Sequence, residues 1–508
     1  MAQQVDLRSP DEFISVEGEI VGFNGVMLRV QTSVGAISVP ASEVICYGAG
    51  CIEVLASNDF GLTAGAMIDV VVDGSAPASS GDQTLSVGFE SATAGGLYRT
   101  VAGAFAVASD TSATVVVSAD GAAVLSNDEA SLKLNIVDDG GDADIVVETV
   151  SLNGTAAQQY SGPGDWITTT QPGDQLLGLN AFSVIVAPNA GISEISLNDL
   201  ARVFAGEVTN WSQIGGADVS VLPLQLPTNS DLWAQMNKLV MEPAGKTVAG
   251  NVLTMSDQAG ISASILQFPG SISIIDFAVA NADQTIAVAG ACGIAVMPNA
   301  FNIISGDYPL ARPIMASYNT APTAPFAAEL FDFASTDVAQ GLLDREGFLN
   351  HSAQQQDPVL KNERLGGLLN ASLDDAQRAA AAEMFQVLFD ANRLSTTMTG
   401  GAASGPEGAW NRAMMIDLAG LVSGPEYQGR EIVFAGFGAS TSGSDAAISA
   451  SLGAAQSMQA AFEQFAGAAL ASNEVTVSPY GFGNVFPATC VDGQVAGSGY
   501  TRVEVWVR

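Results

Sequence analysis

The sequence predicts a multidomain α/β protein, and three observations carry that reading. Short apolar bursts alternate with polar residues near the N-terminus, strands then alternate with helices over some 260 residues, and a second alternating stretch follows a polar linker. A length of 508 residues corresponds to about three or four domains, and 48% hydrophobic content is ample for ordinary buried cores. Disorder is excluded for most of the chain.

Residues 13–45 carry the first pattern, with Asn24-Gly25 between two apolar runs. That dipeptide favours a two-residue hairpin turn, because both central residues need positive φ. A small β-barrel over residues 1–52 is expected, ending at Cys46 and Cys51, which enclose Tyr-Gly-Ala-Gly and could close a disulfide. Residues 53–83, rich in Gly, Ala, Ser and Asp around a strand-like run at 67–72, read as a linker or insertion.

From residue 84 strands are expected at 85–89, 113–117, 144–150 and 182–186, with helices at 95–107 and 197–204. Ser196 caps the second helix and Asp199 stands at its N3 position. In such domains ligands sit at strand ends and helix N-termini. The pattern runs to residue 351, and 352–362 form a polar linker. Beyond it, helices at 374–392, 409–421 and 446–466 and strands at 431–435, 474–477 and 502–507 describe a compact βαβαβ-type module over 363–508.

Charge and composition exclude several function classes. With 17 Lys plus Arg against 53 Asp plus Glu, the formal net charge is −36. Lys133, Lys238, Lys246 and Lys361 are the only lysines, so no basic stripe exists to neutralise a nucleic-acid backbone or an anionic bilayer. The single histidine, His351, reads as a loop residue and closes off His-based catalysis or a multi-His metal site. Gly245-Lys246-Thr247 has the tail of a phosphate loop, but Val240 stands where its leading glycine belongs. No enzyme is read here, and no cofactor or metal. Asp138-Asp139-Gly140-Gly141-Asp142-Ala143-Asp144 reads as turn chemistry rather than a calcium loop. Four cysteines without CxxC spacing point to an oxidising compartment, with Cys292 and Cys490 either bridged or two buried thiols. Met-Ala-Gln-Gln-Val looks like a mature N-terminus with a methionine before it, so an exported protein of the periplasm or cell surface is expected.

Two segments carry family resemblances. Ile192-Ser193-Glu194-Ile195-Ser196-Leu197-Asn198-Asp199-Leu200-Ala201-Arg202-Val203-Phe204-Ala205-Gly206-Glu207-Val208-Thr209-Asn210-Trp211 resembles the signature of PstS-type phosphate-binding proteins, the substrate-binding components of ABC importers. Gly178 to Val186, Asp307-Tyr308-Pro309-Leu310-Ala311-Arg312-Pro313 and the run from Gln340 to Phe348 support it. The resemblance covers 84–351 and implies a type 2 periplasmic-binding-protein-like body, two lobes closing on a ligand. Gly436 to Gln459, with Arg502-Val503-Glu504-Val505-Trp506-Val507, resembles an OmpA-like α/β sandwich, the peptidoglycan-associating module of bacterial envelopes. Fusions of a small β module, a PstS-like body and an OmpA-like tail form a bacterial family whose cysteine positions resemble those here.

The resemblance implies a phosphate site built from helix amides, hydroxyls and an arginine fork. Candidate ligand residues are Ser91, Thr93, Asp144 and Thr149 in the first lobe and Thr228, Asn229 and Ser230 in the second. The arginine position falls on Gln225 or Leu226, and Glu148-Thr149 replaces a Ser-Asp pair. An added carboxylate opposes a dianion, since like charges about 4 Å apart repel by about 4 kcal/mol at an intermediate dielectric. In the OmpA-like half, Ala439 and Gln456 stand where an Asp and an Arg would hold a peptidoglycan peptide, and Tyr500-Thr501-Arg502 keeps one arginine of an Asn-Arg-Arg run. The expected function is therefore a solute-binding-type envelope protein with an altered phosphate-type site. The alternative is a structural or assembly protein that reuses both modules as scaffolds, self-associating or meeting an envelope partner.

Overall fold

The computed structural model describes residues 175–290, 295–318, 333–334, 336–343, 347–367, 373–400, 405–438, 440, 442–486, 490–491, 494–495 and 501–508. Within 4–149 it describes the strands given below and helical residues Leu97, Tyr98 and Val101. The chain divides into two compact units, residues 1–149 with 316–350, and residues 150–315 with 351–508.

In the first unit, β1 (Gln4–Arg8), β2 (Ser15–Phe23), β3 (Met27–Thr32), β4 (Gly35–Pro40), β5 (Ile45–Tyr47) and β6 (Thr63–Ala64) form one sheet in the order β4-β3-β2-β1-β5-β6. Among the described residues no pairing joins β4 to β6, and β6 lies beyond residue 52, where the expected barrel ends. The β2–β3 hairpin forms, but Phe23 pairs with Leu28 after a register shift between Ile20 and Gly22. Asn24-Gly25, where a two-residue turn is expected, lies outside the described residues. The expected run at 67–72 lies outside the described residues.

The same unit holds β7 (Gln83–Phe89), β8 (Thr114–Val117), β9 (Ala123–Ser126), β10 (Ser131–Val137) and β11 (Ile145–Thr149), in the order β11-β7-β10-β9-β8. Strand β7 is parallel to β10 and β11, while β8, β9 and β10 pair antiparallel. A helix over Asp337–Leu343 belongs to this unit.

The second unit starts with β12 (Gln175–Val186), buried at every one of its 12 positions. Only 182–186 stand out in the sequence, because Gln175, Gly178 and Asn180 interrupt the apolar run. Burial of Asn180 is compensated locally, its Oδ1 accepting from the Ala181 amide at 2.7 Å. Next come β13 (Glu194–Ser196), helix α1 (Leu197–Phe204), β14 (Leu222–Gln225), α2 (Asp231–Met236), β15 (Leu253–Thr254), α3 (Gln258–Gln267), β16 (Ser271–Asp276), β17 (Ala287–Ala289), β18 (Ala295–Val296), α4 (Ala300–Ile304) and β19 (Ala311–Tyr318). Strands β14, β15 and β16 are parallel, and β16 pairs antiparallel with β12.

Helix α1 forms where its signals place it. Ser196 Oγ accepts from the Asp199 amide at 2.9 Å, and Asp199 takes Arg202 at 2.7 Å. Leu200, Ala201, Val203 and Phe204 make the buried face. The Trp211 that ends this motif is fully buried and donates its indole N–H to the Gly270 carbonyl at 2.9 Å. Gly270 has φ +73°, and a Cβ there would stand 2.0 Å from the Ser220 carbonyl oxygen, so this contact needs glycine.

The C-terminal sheet joins β20 (Asn392–Gly400), β21 (Glu431–Gly438), β22 (Thr476–Gly481) and, after the short pair β23 (Cys490–Val491) and β24 (Gln494–Val495), β25 (Thr501–Val507). Its order is β20-β25-β21-β22, with β21 and β22 parallel and the other pairs antiparallel. The helices are α5 (Pro358–Gly367), α6 (Asp375–Leu388), α7 (Gly405–Val422) and α8 (Ser444–Ser472). Val433, Ala435, Phe437 and Trp506 pack with Met384 and Leu388 of α6, and Phe434, facing the other way by strand alternation, meets Phe462 of α8 with ring centroids 5.7 Å apart. Helix α8 runs close to the sheet at the paired glycines Gly436 and Gly481, where a Cβ would fall 2.1 Å from the Ser451 carbonyl oxygen and 2.4 Å from the Leu452 amide nitrogen.

Three expectations are corrected here. Strand β20 stands where the sequence suggests only an interval between helices, and the polar residues that hide it, Ser395, Thr396, Thr397 and Thr399, are all buried. Helix α7 satisfies its backbone: Trp410 Nε1 donates to the Thr397 carbonyl and Asn411 exchanges two hydrogen bonds with Thr399. Helix α5 begins inside the expected linker at 352–362, and Lys361 is buried because its ammonium caps α6, donating to the carbonyls of Phe389 and Ala391 at 2.9 and 3.0 Å. His351 lies outside regular structure, as expected, but it is buried, with Nδ1 2.5 Å from Asp417 Oδ2 on α7.

Candidate functional site

The sequence-predicted ligand residues fall in two places, one in each unit. In the first, Phe89 at the end of β7 pairs with Val147 of β11. The end of β7 thus lies beside β11, which ends in the buried Thr149. This is the carboxyl edge of parallel strands, where open α/β sheets receive ligands. Ser91, Thr93 and Asp144 themselves lie outside the described residues, as does the run at 138–144.

The second is built on the carboxyl ends of β14 and β16. Strand β14 ends at Gln225, and the turn that follows carries Thr228 and Asn229, both exposed. Ser230 is the N-cap of α2, accepting from the Trp233 amide at 3.3 Å. Its hydroxyl is a helix cap by geometry. Gln225, in the position where the resemblance would place an arginine, accepts from the Trp233 indole N–H at 3.2 Å. The side chains brought together here thus include an amide and an indole in place of a guanidinium.

Behind this turn lies a charged group that the sequence does not reveal. Arg312, at the start of β19, is 1% exposed. It donates through Nη2 to Asp276 Oδ1 at 2.8 Å and through Nη1 to Gln235 Oε1 at 3.0 Å, and its guanidinium carbon stands 3.6 Å from the centroid of the Phe182 ring. Asp276 is held in turn by Gln258, which donates to Oδ2 at 2.7 Å and accepts from the Asp276 amide at 2.8 Å. Gln235 donates to Asp231 at 3.4 Å. Burial pulls the Arg312 pKa down to about 10, against the charges of Asp276 and Asp231, which favour the cation. Arg312 remains charged at neutral pH and is committed to its acidic partners.

Asp231 sits in the first turn of α2, where it complements the partial positive charge of the helix N-terminus. A bound anion would use that same charge. The arrangement therefore offers exposed hydroxyl and amide groups at Thr228 and Asn229 beside a resident carboxylate. Asp231, Trp233, Gln235, Gln258, Asp276 and Arg312 were not singled out by sequence reasoning. The signal available was Asp231 directly after the Ser230 cap and Arg312 inside a quoted family run.

The remaining predicted positions are scattered. Cys46 lies in β5, paired in register with Leu7, while Cys51 and Cys292 are outside the described residues and only the backbone of Cys490 is described, in β23. Gln456 is exposed on α8, and Ala439 is outside the described residues. Among the described residues no group of three or more His, Cys, Asp or Glu could hold a metal ion, and no helix is long and apolar enough to cross a membrane.

Residues 140–338 match the model of the PBP superfamily domain. The chain is 24% identical over 227 residues to the phosphate-binding protein PstS of Bacillus subtilis, covering 42% of this chain and 73% of that protein. It is 21% identical over 182 residues to the phosphate-binding protein PstS of Borreliella burgdorferi, covering 35% of this chain and 65% of that protein. A solved ABC-type phosphate transport receptor from Vibrio cholerae aligns over 53% of this chain and 99% of its own, with 14% identity and a TM-score of 0.39. Residues 140–338 are thus similar to the PBP superfamily domain, and the middle of the chain has a PBP-like fold.

Proposed function

We propose that this chain is a non-enzymatic, exported solute-binding-type protein of the bacterial envelope, derived from phosphate binders and no longer suited to a dianion. The observation that carries this reading is Asp231 in the first turn of α2, with Gln225 on the adjoining strand end and Arg312 tied to Asp276 behind it. Among the described residues, a phosphate placed at this turn would meet a carboxylate and no uncommitted guanidinium, and repulsion at such range outweighs what one or two neutral hydroxyls return. Phosphate is accordingly a weak ligand at best, and solutes that are neutral or carry a cationic group suit the turn better. A thermal-shift series tests this directly. Binding to the native state raises the melting midpoint, so a clear rise at micromolar phosphate would sink the reading.

A second reading, a structural or assembly protein that keeps both modules as scaffolds, is favoured by Gln456, exposed on α8 where the OmpA-like resemblance would place an arginine. A neutral amide does not replace a charge-assisted contact to a wall-peptide carboxylate. Sizing over a concentration series discriminates: self-association supports the scaffold, and a monomer throughout argues for the solute-binding reading.

A further inference from the structure

The C-terminal sheet resembles a module usually pictured on a tether, yet within the second unit it is fastened to the solute-binding lobe by a four-charge cluster. Asp307, in the loop between α4 and β19, accepts from Arg393 Nη1 of β20 at 2.7 Å through Oδ2 and from Arg502 Nη2 of β25 through Oδ1. Glu504, two residues along β25 from Arg502, closes the ring, its carboxylate oxygens standing 3.1 Å from Arg393 Nε and 3.2 Å from Arg502 Nε. The side chains of Arg393 and Glu504 are completely buried, and those of Asp307 and Arg502 are 16% and 11% exposed. The Arg393 guanidinium also stands 5.2 Å from the Phe301 ring of α4. Two cations and two anions make the cluster neutral, but its balance depends on Asp307, the one member supplied by the lobe.

The connecting segment is fastened to the same strand. The Ser395 amide donates to the Gln354 carbonyl at 2.7 Å, the Gln356 amide to the Arg393 carbonyl at 2.8 Å, and the Gln354 amide to Ser395 Oγ at 2.8 Å. Residues 354–356 therefore run along β20 rather than hanging free between modules.

We propose that Asp307 is a latch that makes the second lobe and the C-terminal module a single cooperative unit. Without its carboxylate, the module buries two guanidinium groups against one carboxylate, a state far less favourable than the paired one. An apolar contact alone would tolerate sliding, whereas these paired charges admit one register. Arg502, the arginine kept from the run that the OmpA-like resemblance implies, is engaged here with Asp307 and Glu504.

The test is calorimetry of the whole chain, with hydrogen exchange identifying which strands open in each transition. In the wild type, β20, β21 and β25 should open together with 301–310. In Asp307→Asn the C-terminal strands should open separately, with a midpoint about 5–10 °C lower. Adding Arg502→Gln, which restores a one-to-one balance of Arg393 and Glu504, should recover most of that loss. The latch is overturned if wild-type C-terminal strands open independently of 301–310, if Asp307→Asn melts within about 1 °C of the wild type as one transition, or if the double variant falls below the single one. Should Asp307→Asn not fold, the wild-type exchange pattern decides alone: joint opening supports the latch and separate opening overturns it.

Discussion

Asp276, itself partly exposed, holds the buried guanidinium of Arg312 at 2.8 Å from 36 residues away in sequence. This pair commits the Arg312 guanidinium to a carboxylate of its own unit. It also sets a stability expectation. Asp276→Ala leaves a buried cation supported mainly by Asp231 and should cost about 3–5 kcal/mol, measured by urea unfolding. The paired replacement Asp276→Leu with Arg312→Met should cost much less, since neither charge is then buried alone.

The anion preference of the turn at Thr228 is expected to be recoverable. Gln225→Arg combined with Asp231→Asn supplies a guanidinium and removes the resident carboxylate. The double variant should show a phosphate-dependent rise in melting midpoint that the wild type lacks. At a phosphate concentration 100 times the dissociation constant the stabilisation would be about 2.7 kcal/mol. An unchanged midpoint in both proteins would place the loss of affinity elsewhere than in these two side chains.

Gly436 and Gly481 should be intolerant of side chains. A methyl group at Gly436 would meet the Ser451 carbonyl oxygen at 2.1 Å, and backbone on both sides leaves no flexible group to yield. Gly436→Ala is expected to destabilise by about 3 kcal/mol or more, read as a lower urea midpoint. Gly453→Ala on the same helix, where a Cβ meets nothing within 4 Å, is the control and should not destabilise.

Acid sensitivity has an identifiable contributor in Glu431. Its carboxyl pKa is held below the ordinary 4.5 chiefly by the hydrogen bond from Arg508 Nε at 2.7 Å, with help from Ser478 and against the effect of burial. A folded pKa below the unfolded one means that the stabilisation is fully present above about pH 4.5 and is lost as pH falls through the folded value. Glu431→Gln should therefore flatten the stability profile on the acid side. At neutral pH the change should stay below about 1 kcal/mol, because the pair is partly exposed. Urea midpoints from pH 3 to 7 would check both parts.

Much of this architecture is legible where local signals are strong. Ser196 and Asp199 announce α1, and Gly-rich punctuation with apolar runs announces β7, β8, β11 and β21. Strand β20 is hidden because its buried residues are serines, threonines and an arginine, made tolerable by Trp410, Asn411, Asp307 and Glu504 from other elements. The turn at Thr228 to Ser230 was legible as a candidate, but the chemistry around it was not. Ser230 proved to be a cap, and the deciding charges came from three separate strands and helices.

The sequence by itself determined the mixed α/β class of the fold, since 2.0- or 3.6-residue periodicity acts locally along the chain, and a family-like run marked its PBP-like middle. Only the tertiary structure decided which charges are committed. Arg312 is taken up by Asp276, and Arg393 and Arg502 by Asp307 and Glu504. Whether a guanidinium can meet a ligand depends on which carboxylate folding brings within 3 Å of it, and that distance is set by packing between elements far apart in sequence.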